Sequence, residues 1–137
     1  LPIVAETTGN PLRAPADVRA QLDDIASLAQ EAFLVLTLNQ KYKLISRHLV
    51  TLGIANAALA HPREVFRRAI ADGACAVIIA HNHPSGDPTP SPEDVKVTRQ
   101  MVETGKVIDI PVLDSIVIGR GATPFYSLRE GGLVSFS

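Results

Sequence analysis

"ACAVIIAHNHPSGDPTPSPED", residues 74–94, joins an apolar run to a polar loop rich in proline. The run 74–81 is short and β-branched, which reads as a buried strand. Pro84, Gly86, Pro88 and Pro90 then rule out continued regular structure. Ser91 suits an N-cap and Pro92 the first helical position, so a helix is expected from Ser91 to Gly105, with the glycine just past its end. Strand, shaped loop and helix in this order are one unit of an α/β fold.

Working outward, the flanking segments extend that unit. "HPREVFRRAIADG" (61–73) predicts a helix opened by Pro62, with Val65, Phe66, Ala69 and Ile70 as its apolar stripe and Gly73 at its end. "EAFLVLTL" (31–38) and "KLISRHLVTL" (43–52) predict an antiparallel strand pair joined by the turn 39–42. Pro15 starts a helix over 15–26, with Val18, Leu22 and Ile25 on one stripe. "IPVLDSIVIG" (110–119) is another strand, and "SLREGG" (127–132) one last helical turn. After the first helix the order β-β-α-β-α-β implies an α/β (α+β) fold, a mixed β-sheet flanked by helices. Residues 1–13 read as an extended arm and 14–137 as one domain.

Composition narrows the class. Hydrophobic residues are 46% and charged residues 20%, the balance of a globular protein. No apolar run approaches the roughly 18–20 residues of a membrane helix. The formal net charge is −1, so charge gives no support to a nucleic-acid partner. Cys75 is the only cysteine, which excludes an internal disulfide, fits a cytoplasmic setting and suggests a small buried hydrophobe. The first residues lack the pattern of a signal peptide. The chain starts at Leu1 and its only methionine is Met101, as expected of a piece of a longer protein.

Alternation along a strand puts His81 and His83 on one face at the strand's C-terminal end, where α/β sheets bind ligands. Ser91 and Asp94 share one face of the helix start. Two imidazoles and one carboxylate, with a fourth position open, form a catalytic zinc ligand set. The same letters have a structural explanation: Ser91 as N-cap, Pro92 at N1 and Asp94 at N3 make a capping box, although aspartate is shorter than the preferred glutamate. Ser127 and Glu130 repeat that spacing where nothing suggests chemistry. Both readings stand on spacing alone.

Zinc chemistry also needs a proton carrier. Glu31 opens an otherwise apolar strand and is the first candidate; an exposed strand start would explain it equally. Glu64 is its rival, and Glu93 reads as a solvated acid of a first helical turn. Asp114 interrupts an apolar strand and could orient a ligand histidine or bond locally. His48 and His61 read as ordinary surface or capping residues. "HNH" at 81–83 does not make a nuclease, whose named residues are separated in sequence. The zinc deaminase pattern fails as well, because it needs H-x-E and a cysteine pair.

Glu31 followed by His81-x-His83-x7-Ser91-x2-Asp94 resembles the JAMM metal-binding signature of the Jab1/MPN/Mov34 metalloenzymes. "HPREVFRRAI", "HNHPSGDPTPS" and "VLDSIVIG" are similar to the bacterial RadC branch of that family, and the likeness runs from residue 14 to the C-terminus. The resemblance implies an MPN domain, related to the cytidine deaminase fold. It implies Zn2+ on His81, His83 and Asp94, Glu31 as general base and Ser91 at the oxyanion. It further implies hydrolysis of a peptide or isopeptide substrate. Ser115 departs from the histidine usual in the RadC pattern; a helix-hairpin-helix module of that pattern is not among these residues, as expected if it has been cut away, and the insertions that grip ubiquitin are not expected in so compact a chain. Two rival expectations are a DNA-repair or DNA-processing factor, with Arg63, Arg67 and Arg68 as the sole basic cluster, and a non-catalytic MPN scaffold.

Overall fold

The computed structural model describes residues 9–53 and 60–137. The apolar segments expected as strands form one sheet. β1 (Ala32–Leu38) and β2 (Leu44–Leu52) pair as an antiparallel hairpin. Its turn is held by the Asn39 side chain, which accepts from the N–H groups of Lys41 and Lys43, while Tyr42 takes a left-handed φ of 61°. β3 (Ala76–Asn82) lies antiparallel to β1, and β4 (Val112–Ile118) runs parallel to β3. A parallel neighbour needs a long crossover, which the helix after the proline loop supplies. β5 (Phe125–Ser127) closes the mixed sheet in the order β2-β1-β3-β4-β5.

β5 is absent from the sequence expectation, because three residues show no period. The expected helical turn over 127–132 is present as one turn that is not continued into a helix, with Gly131 N–H donating to the Ser127 carbonyl at 2.9 Å. The expected helix 15–26 is broken into α1 (Pro15–Ala20) and α2 (Asp23–Ala26). Leu22 leaves helical geometry between them, yet Val18, Leu22 and Ile25 all remain buried. Apolar burial outweighs the interrupted helix here, since each fully buried aliphatic side chain contributes about 1.5–3 kcal/mol.

α3 (Pro62–Ala71) buries Val65, Phe66 and Ala69, whereas Ile70, expected in the stripe, is 63% exposed. α4 (Pro92–Ile108) runs through Gly105 and ends at Asp109, whose φ is 59°. Gly105 is therefore no terminator. A Cβ there would lie 2.5 Å from the Ile110 carbonyl oxygen, so this position lets the chain fold back tightly on the helix. Cys75 is exposed rather than buried, because β3 starts one residue later.

The strand alternation divides the core in two. α1 and α2 cover Leu34, Leu36, Ile78 and Ile116 on one face of the sheet. α3 and α4 cover Phe33, Val35, Ile79 and Val117 on the other. Leu12, placed in the expected arm, is buried against the first face, and its N–H donates to the Tyr42 carbonyl. Residues 1–8 of that arm lie outside the described residues.

Candidate metal centre

The β1–β3 ladder fixes the site. Its last pair sets Phe33 opposite His81, so one more step of alternation brings Glu31 beside His83. His81 is 2% exposed and stacks on Phe33 at 6.0 Å between ring centroids, tilted by 10°. His83 is half-buried beyond the strand end, where its N–H donates to the Ile118 carbonyl. Its Nδ1 lies 2.9 Å from the Asp87 carbonyl oxygen. That carbonyl can only accept, so Nδ1 carries a proton and Nε2 is turned toward Asp94.

The proline loop returns the chain to this strand end. Arg120 braces it, donating to the Pro84 and Ala26 carbonyls. At the start of α4, Ser91 Oγ accepts from Asp94 N–H at 3.1 Å and Asp94 Oδ2 accepts from Ser91 N–H at 2.8 Å. The capping box thus forms, and the short aspartate reaches back fully. The same carboxylate faces both imidazoles, with Oδ1 3.0 Å from His81 Nε2 and Oδ2 3.1 Å from His83 Nε2. Capping and site-building are one arrangement rather than two.

The charges are strongly coupled. Burial opposes ionisation of Asp94, but the two facing imidazoles and then Ser91 N–H overcome it and hold this carboxyl far below its ordinary range. The hydrogen bond to Asp94 leads in raising His83, against burial, with help from the Asp87 carbonyl and the charge of Glu31. Burial raises Glu31; His81 and His83 pull it down and Asp94 pushes it up. A carboxyl moved toward neutrality is what proton transfer near pH 7 requires.

One group in this set is left over. Neither ring nitrogen of His81 has a hydrogen-bond partner among the described residues. The contact of Nε2 with Asp94 Oδ1 is close but misaligned, so it is attraction between facing groups rather than a hydrogen bond. A buried imidazole with no partner is costly unless something else satisfies it. Glu31, His81, His83 and Asp94 each offer a ligand atom, all within 4.8 Å of one another. Nitrogen and carboxylate donors gathered this closely suit a divalent late first-row ion, and the residues fit one.

The RadC-like JAB domain is the family whose pattern matches, over residues 12–133. The chain belongs to the RadC-like JAB family. A UPF0758 protein of Geobacillus thermodenitrificans is 46% identical over 124 residues, covering 90% of this chain and 54% of the relative. One from Moorella thermoacetica is 48% identical over 90% of this chain and 53% of its own length. Another, from Clostridium perfringens, is 43% identical over 93% and 56% respectively. The chain spans about half the length of these curated relatives. The mixed sheet with its flanking helices is consistent with a JAB domain.

This RadC-like domain brings Glu31, His81, His83 and Asp94 together, with Ser91 at the same helix start. Glu64 stands apart, ion-paired with Arg67 and Arg68, which also leaves only Arg63 of the basic cluster without a carboxylate partner among the described residues. Glu93 and His61 are exposed, and His48 bonds Asp72 at 2.7 Å. Asp114 orients no histidine. It pairs with Ile78 on the opposite face of the sheet and bonds Ser127, Ser115 N–H and Arg129 N–H. Ser115, the departure from the RadC pattern, is buried and accepts from the Thr98 hydroxyl. No helix among the described residues is long and apolar enough to cross a membrane.

The sequence reading missed Asn82. It is fully buried, with its amide directed away from the histidines and onto the segment that carries Glu31. A polar residue inside a buried strand was the available signal, since such a group must find partners.

Proposed function

We propose that residues 14–137 form a zinc-dependent hydrolase that cleaves a peptide or isopeptide bond. The observation that carries this reading is the unpartnered, buried His81 imidazole within a four-residue ligand cluster that includes a half-buried glutamate. His81, His83 and Asp94 would hold the ion, leaving Glu31 for proton transfer. Zinc held there supplies Lewis acidity, bringing the pKa of a water toward about 7 and polarising a carbonyl oxygen.

The remaining work falls to the chain's own groups. A Glu31 carboxylate oxygen takes the proton of the attacking water and returns it to the departing amine. Ser91 Oγ already accepts from Asp94 N–H, so its own proton is free to be donated to a developing oxyanion. The Asp87 carbonyl keeps His83 in one tautomer throughout. The single cysteine and the net charge of −1 favour a cytoplasmic enzyme over a nucleic-acid binder.

The test is a zinc titration of purified protein followed by cleavage assays on quenched peptide and lysine-linked isopeptide pools. Wild type should hold one zinc, and His81→Ala/His83→Ala none. Glu31→Gln should keep the metal and lose about 10²–10⁴-fold in turnover. Full zinc occupancy in the double variant, or wild-type turnover by Glu31→Gln, overturns the assignment.

A further inference from the structure

Asn82 stands between two ligand candidates and faces away from both. On the far side of β3 its Oδ1 accepts from Ala32 N–H at 2.7 Å, and its Nδ2 donates to the Gln30 carbonyl at 3.0 Å. Both bonds join residues about fifty positions apart and flank Glu31 on either side. The Glu31 carbonyl is itself held, accepting from Gly53 N–H at 2.8 Å. Three backbone groups around Glu31, the Gln30 and Glu31 carbonyls and the Ala32 N–H, are therefore pinned.

The location explains why a side chain is needed. The β1–β3 ladder ends at Phe33–His81, just before Glu31, so no backbone partner from β3 remains for the 30–32 segment. A primary amide offers the same acceptor and donor as a peptide group, and Asn82 continues the ladder by one rung. Serine could not span both contacts. Aspartate keeps the bond to Ala32 N–H but turns a second acceptor toward the Gln30 carbonyl, which repels it.

The geometry points to Asn82 as a positioning residue that sets the Glu31 carboxylate relative to the histidines. This inference rests on the hydrolase reading, in which Glu31 moves the proton. Asn82 touches no substrate and no ligand atom; it acts through the backbone of its neighbouring strand. A displacement of about 1 Å at a reacting group costs on the order of 100-fold in rate.

Two measurements test it. In Asn82→Asp, zinc content should stay at the wild-type level and KM on the best-cleaved quenched peptide within about twofold, while kcat falls about 10- to 100-fold. Combining Asn82→Asp with Glu31→Gln should reduce kcat no further than Glu31→Gln alone, since the amide acts only through that glutamate. Independently of turnover, hydrogen exchange of the Ala32 amide should accelerate at least about tenfold in Asn82→Ala. Wild-type kcat in Asn82→Asp, loss of its zinc, multiplying effects in the double variant, or unchanged Ala32 exchange would each overturn the inference. A wild type that binds no zinc and cleaves nothing removes the hydrolase reading instead, and the exchange rate still decides whether the clamp exists.

Discussion

Asp94 and Asp114 are both buried carboxylates, 3% and 8% exposed, and each interrupts or borders apolar sequence. Their surroundings push them in opposite directions. Asp94 is held low by two imidazoles that outweigh its burial. Asp114 is raised by burial, which its three hydrogen bonds to Ser127, Arg129 N–H and Ser115 N–H only partly offset. The first faces an imidazole with unused nitrogens, while the second is surrounded by neutral donors that satisfy it. Burial of an acid is therefore no mark of function; the lone pairs left over around it are.

Replacing each by asparagine breaks the pair apart most strongly through the metal. Asp94→Asn should weaken zinc binding by more than about 100-fold, beyond the loss typical of a residue that merely supports a ligand. Its Oδ1 can still cap Ser91 N–H, so far-ultraviolet circular dichroism should keep the helical signal. Asp114→Asn should bind zinc within about twofold of wild type by the same calorimetric titration. Equal losses in both variants would erase the distinction.

Ser91→Ala sharpens what the helix start contributes. Removing the cap should cost about 1 kcal/mol in urea unfolding of the metal-free protein. On the proposed mechanism turnover should fall by a larger factor than zinc affinity does, because that mechanism has the hydroxyl donate to the oxyanion. A proportionate fall in both would assign Ser91 to capping alone.

Stability against pH separates the two acids more gently, in metal-free protein. The lowered Asp94 gives stability that is present above its unfolded value near 3.8 and lost as pH falls through the folded value. Asp94→Asn should therefore melt below wild type at pH 7, with the gap closing on acidification. The raised Asp114 has the opposite sign: its cost appears as pH rises through 3.8 toward the folded value and persists above it. Asparagine there can accept both backbone N–H groups and donate to Ser127 Oγ. Asp114→Asn should match or slightly exceed the wild-type melting temperature at pH 7 and lose that advantage below pH 4. This is the smallest expected effect, read by differential scanning calorimetry.

The contrast also shows what sequence carries. Asp94 is legible because its partners are near in the chain: spacing from Ser91 gives the helix face, and alternation gives the histidine face. Asp114 is not, because its face depends on how β4 meets β3, and that register shifts between Val77 and Ile78. Asn82 fails for the same reason, its partners lying more than a third of the chain away. Gly105 misleads differently. Glycine past a helix and glycine under a close-packed carbonyl look alike in one dimension, and only the return of Ile110 tells them apart. Strands and the site's strand–loop–helix frame rest on local period and loop chemistry; the break at Leu22 and the three-residue β5 are set by packing and pairing that no period announces.

The three ligand candidates all come from the span 81–94, while the proposed proton carrier is residue 31. An unfolded chain thus keeps His81, His83 and Asp94 within one short, proline-stiffened loop, and retains part of their capacity to chelate. Metal bound to the unfolded state subtracts from the stabilisation that native-state affinity alone would give. Zinc should therefore raise the melting temperature by less than its native dissociation constant implies, and chelation by the loop can precede the arrival of Glu31 during folding.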